Sequence, residues 1–364
     1  MQDRINNPIN RAGGTRYEWV DILRAFAVIC IVLGHTLRNA TAVYPWLYSF
    51  HVPLCVTTSG IVFHRGRKRF AEFVKNKFLT LMIPYYCFAV ISISLYAVLG
   101  DMMEASLDGG YNVSIWHSLW GMFYANSGTG LMRWNMPLWY LPMLFGLVII
   151  AWATYKDEQS IAKDWIVLAS SVMLAVLCYS VLKLDDFPFG LETALSLFPF
   201  FAIGRLIGRY QKALDRIHQR TILFVGVFMV LLGTAMTVGN GQISYNADSY
   251  GQRGYLYFII MSSTLCIGFA LLSKLVKRGI KWMTYVGRNT IGIIVMHKFP
   301  ILFFVGLVPV TKRLNSEYPL PGAVLIASIS IALCLIASEV IYWVCPLALG
   351  KYTRSKKGEH KGQK

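Results

Sequence analysis

The feature that most constrains this chain is a series of apolar runs, each close to 20 residues long, recurring from Tyr17 to Ala348. A helix of that length spans roughly 30 Å, the thickness of a bilayer's hydrocarbon core. Backbone donors and acceptors find no water there, so each run must satisfy its own as an α-helix. The chain therefore reads as an all-α, polytopic membrane protein with about ten transmembrane helices, over 18–37, 43–63, 78–99, 138–154, 165–183, 190–208, 221–239, 256–273, 287–307 and 322–348. Composition agrees. Charged residues make up 15% of the 364 positions, where a soluble body needs about 25% to cover itself.

The basic residues set the orientation. With the N-terminus in the cytoplasm, 27 of the 35 Lys and Arg fall in inside segments and 6 in outside ones, with Arg24 and Lys298 inside spans. The positive-inside rule accounts for this split, and losing one helix would scatter it. Both termini are thus expected in the cytoplasm and the protein in the inner (cytoplasmic) membrane, multi-pass. The net charge of +17 is spread over these short loops, so it does not imply nucleic acid. Residues 1–350 read as one membrane domain and 351–364 as a basic tail, disordered or held against anionic lipid. The first apolar run lacks a small-residue cleavage site and carries Asp21, Arg24 and His35, which reads as a retained helix. The seven cysteines show neither Cys-x-x-Cys spacing nor a paired pattern, so no disulfide framework or metal site is expected. The outside stretch from Asp101 to Pro137, rich in Trp, Tyr, Gly and Asn, suits an acceptor groove and an interfacial loop equally well.

Ionisable groups inside a bilayer are costly and usually face a cavity or a partner. Arg24 and His35 stand eleven residues apart. At about 100° and 1.5 Å per residue they share one helix face, roughly 16 Å apart. Asp21 lies three residues before Arg24, a spacing that pairs them on that face. Imidazole titrates near neutrality and is the commonest general base, although spacing alone equally fits a helix-end histidine bonded to a neighbour. His51 opens the second span, followed by Pro53 and Ser59, either at a cavity wall or at a plain packing kink. In span nine, Asn289 precedes His297 and Lys298. His297 is a candidate for the same cavity as His35, and Lys298 is either paired or snorkelling. Glu339 in the last span is either a partner of Arg24 or a packing residue.

Taken in order, these pieces resemble the acyltransferase 3 family of membrane O-acyltransferases, in particular its fucose 4-O-acetylase-like branch. The resemblance rests on Asp21-Ile22-Leu23-Arg24, Gly34-His35-Thr36, Phe50-His51-Val52-Pro53-Leu54 with Ser59-Gly60, and Ile83-Pro84-Tyr85. It continues through Pro137-Leu138-Trp139-Tyr140-Leu141-Pro142, Phe198-Pro199-Phe200-Phe201 before Gly204, and Gly287-Arg288-Asn289-Thr290 before His297. It implies ten helices, an acyl-CoA donor, usually acetyl-CoA, presented from the cytoplasm, and an acceptor hydroxyl at or across the membrane. It also implies that Arg24 and His35 are essential, with the histidine catalytic. One departure is Thr80 in Lys77-Phe78-Leu79-Thr80, where the family pattern has a second basic residue.

The reading that follows is an O-acyltransferase acting on a cell-envelope glycan or glycolipid. CoA phosphates would dock among Lys68, Arg69, Lys75, Lys77 and Arg205. His35 would take the acceptor proton, and His51, Ser59 or Asn289 would steady the oxyanion. A briefly acylated His35 and a succinyl donor fit the same residues. The rival is a multi-helix transporter or flippase, which also uses buried His, Arg and Glu, although no inverted repeat is visible.

Overall fold

The computed structural model describes residues 17–37, 41–66, 69–104, 114–157, 159–245, 249–276 and 280–351. Among the described residues, nine helices are long and apolar enough to cross a membrane, and no named strand occurs, only an isolated bridge between Ser244 and Ser249. The first is α1, Glu18–Thr36. The predicted second span, 43–63, is divided into α2, Val43–Tyr48, and α3, His51–Ile61. Next come α4, Phe70–Lys77, running through a π-turn into α5, Ile83–Glu104, and the short α6, Ile115–Tyr124. Then follow α7, Tyr140–Thr154, α8, Ile161–Val176, α9, Leu191–Arg209, α10, Gln219–Thr237, and α11, Tyr255–Lys274. The predicted ninth span is also broken, into α12, Lys281–Arg288, α13, Thr290–Met296, and α14, Lys298–Leu302. Two more helices close the fold, α15, Pro309–Glu317, and α16, Pro319–Val344.

Two of these breaks, at Phe50 and at His297, have a local cause. Proline has no N–H, so the carbonyl four residues earlier loses its helical donor. Pro53 frees the carbonyl of Ser49, which instead accepts the hydroxyl of Ser262 on α11. The backbone turns at Phe50, with φ −142° and ψ −19°, and restarts at His51. Pro300 does the same to Met296, and the helix is interrupted there at His297.

The helices sort into an interior pair and a lipid-facing shell. Of the most apolar stretch of each span, 72% is buried in α1 and 78% in α9, against 17% in α8 and in α10. The exposed side chains of α10, among them Phe224, Phe228 and Leu231, are those a hydrocarbon solvent accepts at no cost. Hydrophobic burial cannot drive association between such helices, so close backbone packing does. A Cβ on Gly60 would lie 2.1 Å from the Phe201 carbonyl oxygen, and one on Gly204 2.1 Å from that of Thr57. These two glycines bring α3 into backbone contact with α9 and so set where His51 stands.

Candidate active site

The continuous helix α1 carries Asp21, Arg24 and His35 from one end of the bundle towards the other. At its first turn, Asp21 is buried and pairs with Arg24 at 3.8 Å and with Arg288 of α12 at 3.7 Å. The approach of α12 depends on Gly287, whose Cβ would overlap the Asp21 carbonyl oxygen at 1.9 Å. Arg24 lies within electrostatic reach of Tyr140, which reaches the cavity described below. The other end of α1 is fixed by Thr36. Its hydroxyl donates to Ala323 O at 3.1 Å, and its carbonyl accepts from Asn315 Nδ2 at 3.3 Å. These bonds anchor the turn that holds His35.

Three histidines, on α1, on α3 and at the break between α13 and α14, meet there, at a cavity of about 320 Å³ lined by His35, His51 and His297. The His35 and His297 rings lie 5.2 Å apart, centroid to centroid. Tyr48 stands edge-on to both His35, at 6.5 Å, and His51, at 4.6 Å. The tautomers of two rings follow from their partners, because a carbonyl oxygen can only accept. His51 Nδ1 donates to Leu47 O at 2.6 Å and His297 Nδ1 to Ile293 O at 2.9 Å. Neutral, each therefore offers Nε2 as an acceptor. His297 is fully buried and its Nε2 has no hydrogen-bond partner among the described residues. The His35 ring faces the cavity and makes no hydrogen bond with any described residue, which leaves its nitrogens available to a molecule inside.

The walls are aromatic. Trp139, at the end of the turn before α7, lies near-parallel to Tyr245, with centroids 6.4 Å apart and planes 26° apart. Tyr245 closes over Tyr48, donating its hydroxyl to the Tyr48 carbonyl at 2.5 Å. Lys298 completes the lining. No group of three or more His, Cys, Asp or Glu among the described residues is arranged to hold a metal ion.

A family model described as an acyltransferase domain matches residues 17–339, nearly the whole described bundle. The chain belongs to the acyltransferase 3 family. It is therefore a multi-pass membrane acyltransferase, and the matched stretch holds the entire histidine cavity. Comparison with curated proteins and with solved structures found no match.

Within this acyltransferase, the residues singled out from sequence separate into distinct places. His35, His51 and His297 share the cavity. Asp21 and Arg24 stand at the far end of α1. Ser59, Asn289 and Glu339 do not reach the cavity. The Ser59 hydroxyl donates to Cys55 O at 3.1 Å. Asn289 accepts from Lys351 Nζ at 2.8 Å and donates to Tyr285 O at 3.0 Å, while Glu339 accepts the Tyr285 hydroxyl. Glu339 has no ion pair with Arg24 among the described contacts.

Of the basic residues expected near the donor, Lys68 lies outside the described residues. Arg69 is exposed just before α4, whose last turn holds Lys75 and Lys77. Lys77 sits over the Phe73 ring at 5.5 Å. Arg205 is buried on α9, donates to Phe63 O at 2.7 Å and faces the Tyr155 ring, so it braces the turn after α3. Sequence reasoning passed over Tyr48 and Tyr245. The only sequence signal for either was an aromatic within the first turns of a span, Tyr48, or in the loop between two spans, Tyr245, the same signal an interfacial anchor gives.

Proposed function

We propose that this acyltransferase moves an acyl group, most simply acetyl, from acyl-CoA to a hydroxyl of a cell-envelope glycan or glycolipid, with His35 as general base. The observation that carries the reading is the imidazole of His35, free of described hydrogen-bond partners, in a cavity that offers two further imidazole acceptors. An acceptor molecule with several hydroxyls suits that lining, since each Nε2 takes one O–H and the aromatic walls cover the apolar face of a sugar ring. The finer placing beside fucose 4-O-acetylase-like proteins rests on the order of motifs along the chain, and the placing in the inner membrane on the split of Lys and Arg between the two sides.

In this mechanism His35 takes the proton of the acceptor hydroxyl as its oxygen attacks the thioester carbonyl. The tetrahedral oxyanion collapses, the carbon–sulfur bond breaks, and the CoA thiolate leaves with the proton returned by His35. The matching loss and return of one proton makes the imidazole a catalyst. Arg24 stands about three helical turns from His35, too far to touch the same atoms. Its role in this reading is to line the donor's route, held in place by Asp21. Arg69, Lys75 and Lys77, with Lys68, supply cations for the CoA phosphates.

The test uses the purified full chain in nanodiscs with labelled acetyl-CoA and a membrane extract as acceptor. Transfer is expected in the wild type and absent in His35→Ala at unchanged melting temperature. Undiminished transfer by that variant would remove the reading's centre. Mass spectrometry of envelope glycans and lipids, with and without the gene, then names acceptor and acyl group from one mass difference.

A further inference from the structure

We propose that Lys298 is the receptor for an anionic group, a carboxylate or a phosphate, carried by the molecule that occupies the histidine cavity. The proposal rests on the reading of that cavity as the transfer site and adds to it the charge of what binds there.

Lys298 follows His297 directly, at the break that Pro300 creates, and its side chain lines the cavity. No carboxylate lines that cavity among the described residues, and no described residue forms an ion pair or hydrogen bond with Lys298. The described acidic residues with a recorded partner are occupied elsewhere. Asp21 holds Arg24 and Arg288, Asp164 holds Arg209, and Asp215 holds Lys274. Glu192 accepts from Asn126, Glu317 from Arg313, and Glu339 from Tyr285. An ammonium in a membrane interior without a counter-charge is costly, and such a cost is retained where a ligand removes it.

The rest of the lining narrows the ligand. The Nε2 atoms of His51 and His297 are acceptors whose Nδ1–H groups are already committed to carbonyls, so they call for hydroxyl donors. One of them, on His297, is buried and unpartnered. Hydroxyl-seeking imidazoles, an aromatic wall at Trp139 and Tyr245, and one cation together describe an acidic sugar, either a uronic acid or a sugar phosphate. The same cation would also receive the terminal carboxylate of a dicarboxylic acyl group, so the anion has two sources to separate.

Binding to the full chain in zwitterionic nanodiscs separates them without catalysis. The probes are methyl glucuronide, glucose 1-phosphate and neutral methyl glucoside in one arm, and succinyl-CoA against acetyl-CoA in the other. A charge-assisted contact gives the anionic member of one arm at least about ten-fold tighter binding. That preference should vanish in Lys298→Gln and persist in Lys298→Arg. Preference in the sugar arm assigns the anion to the acceptor, and preference in the CoA arm to the acyl group. A wild type that binds charged and neutral members equally in both arms overturns the proposal, as does a preference that survives Lys298→Gln. The wild-type comparison stands even if that variant does not fold. Because no turnover is measured, failure here leaves His35-dependent transfer untouched, and failure of that transfer leaves these affinities readable.

Discussion

Gly287→Ala tests whether α12 positions the charged end of α1. A methyl at Gly287 would stand 1.9 Å from the Asp21 carbonyl oxygen and 2.7 Å from its carbonyl carbon. Ordinary contact begins at 3.4 Å, so α12 has to retreat by about 1.5 Å from a backbone that cannot rotate away. Overpacking of this kind costs about 1–3 kcal/mol. The same retreat carries Arg288 from 3.7 Å to roughly 5 Å from Asp21. Because Arg288 is 39% exposed, solvent screening holds that loss to at most about 1 kcal/mol. A total of about 1–4 kcal/mol appears as a drop of several degrees in the thermal melt of the detergent-solubilised protein, followed by tryptophan fluorescence. Acyl transfer should fall as well, since Asp21 holds Arg24. Gly226→Ala is the control, because its methyl meets the flexible end of Leu272 at 2.9 Å and should cost under about 1 kcal/mol. A Gly287→Ala protein that melts with the wild type and transfers normally refutes the backbone contact.

Three further outcomes follow from the packing around the cavity. Gly204→Ala puts a methyl 2.1 Å from Thr57 O and should push α3 off α9, costing about 1–3 kcal/mol and lowering transfer through His51; an unchanged melting temperature counts against it. Ser262→Ala leaves the Ser49 carbonyl without its donor at the Pro53 break, so a melting loss equivalent to about 1–3 kcal/mol is expected, while a neutral result would mean that water replaces the hydroxyl. Tyr245→Phe removes the bond to Tyr48 O at a cost of about 1 kcal/mol. Its expected signature is a higher KM for the acceptor at nearly constant kcat for the bound complex, checked by steady-state kinetics.

Much of the bundle was legible from the runs themselves, because hydrocarbon permits only one backbone solution for a segment of that length. Nine of the ten expected spans appear as continuous apolar segments or helices with a local interruption. The remaining one, 43–63, is two short helices. Pro53 announced a disturbance, but only the position of Ser262 on α11 decided where the freed carbonyl found its donor and hence where His51 begins. From sequence, Asn289 read as an oxyanion candidate and Glu339 as either a partner of Arg24 or a packing residue. Their partners, Lys351 and Tyr285, sit 54 or more positions from them along the chain, a pairing that no local pattern carries.

The sequence by itself determined the all-α membrane class and the shared face of Arg24 and His35, since helical periodicity is a local property of the backbone. Tertiary structure alone decided that His35, His51 and His297 face one cavity and that Lys298 joins them without a described counter-ion. The physical reason is that long-range convergence depends on where helices cross. Those crossings are set by glycine contacts such as Gly60 with Phe201 and Gly287 with Asp21, whose partners lie 141 and 266 positions away along the chain.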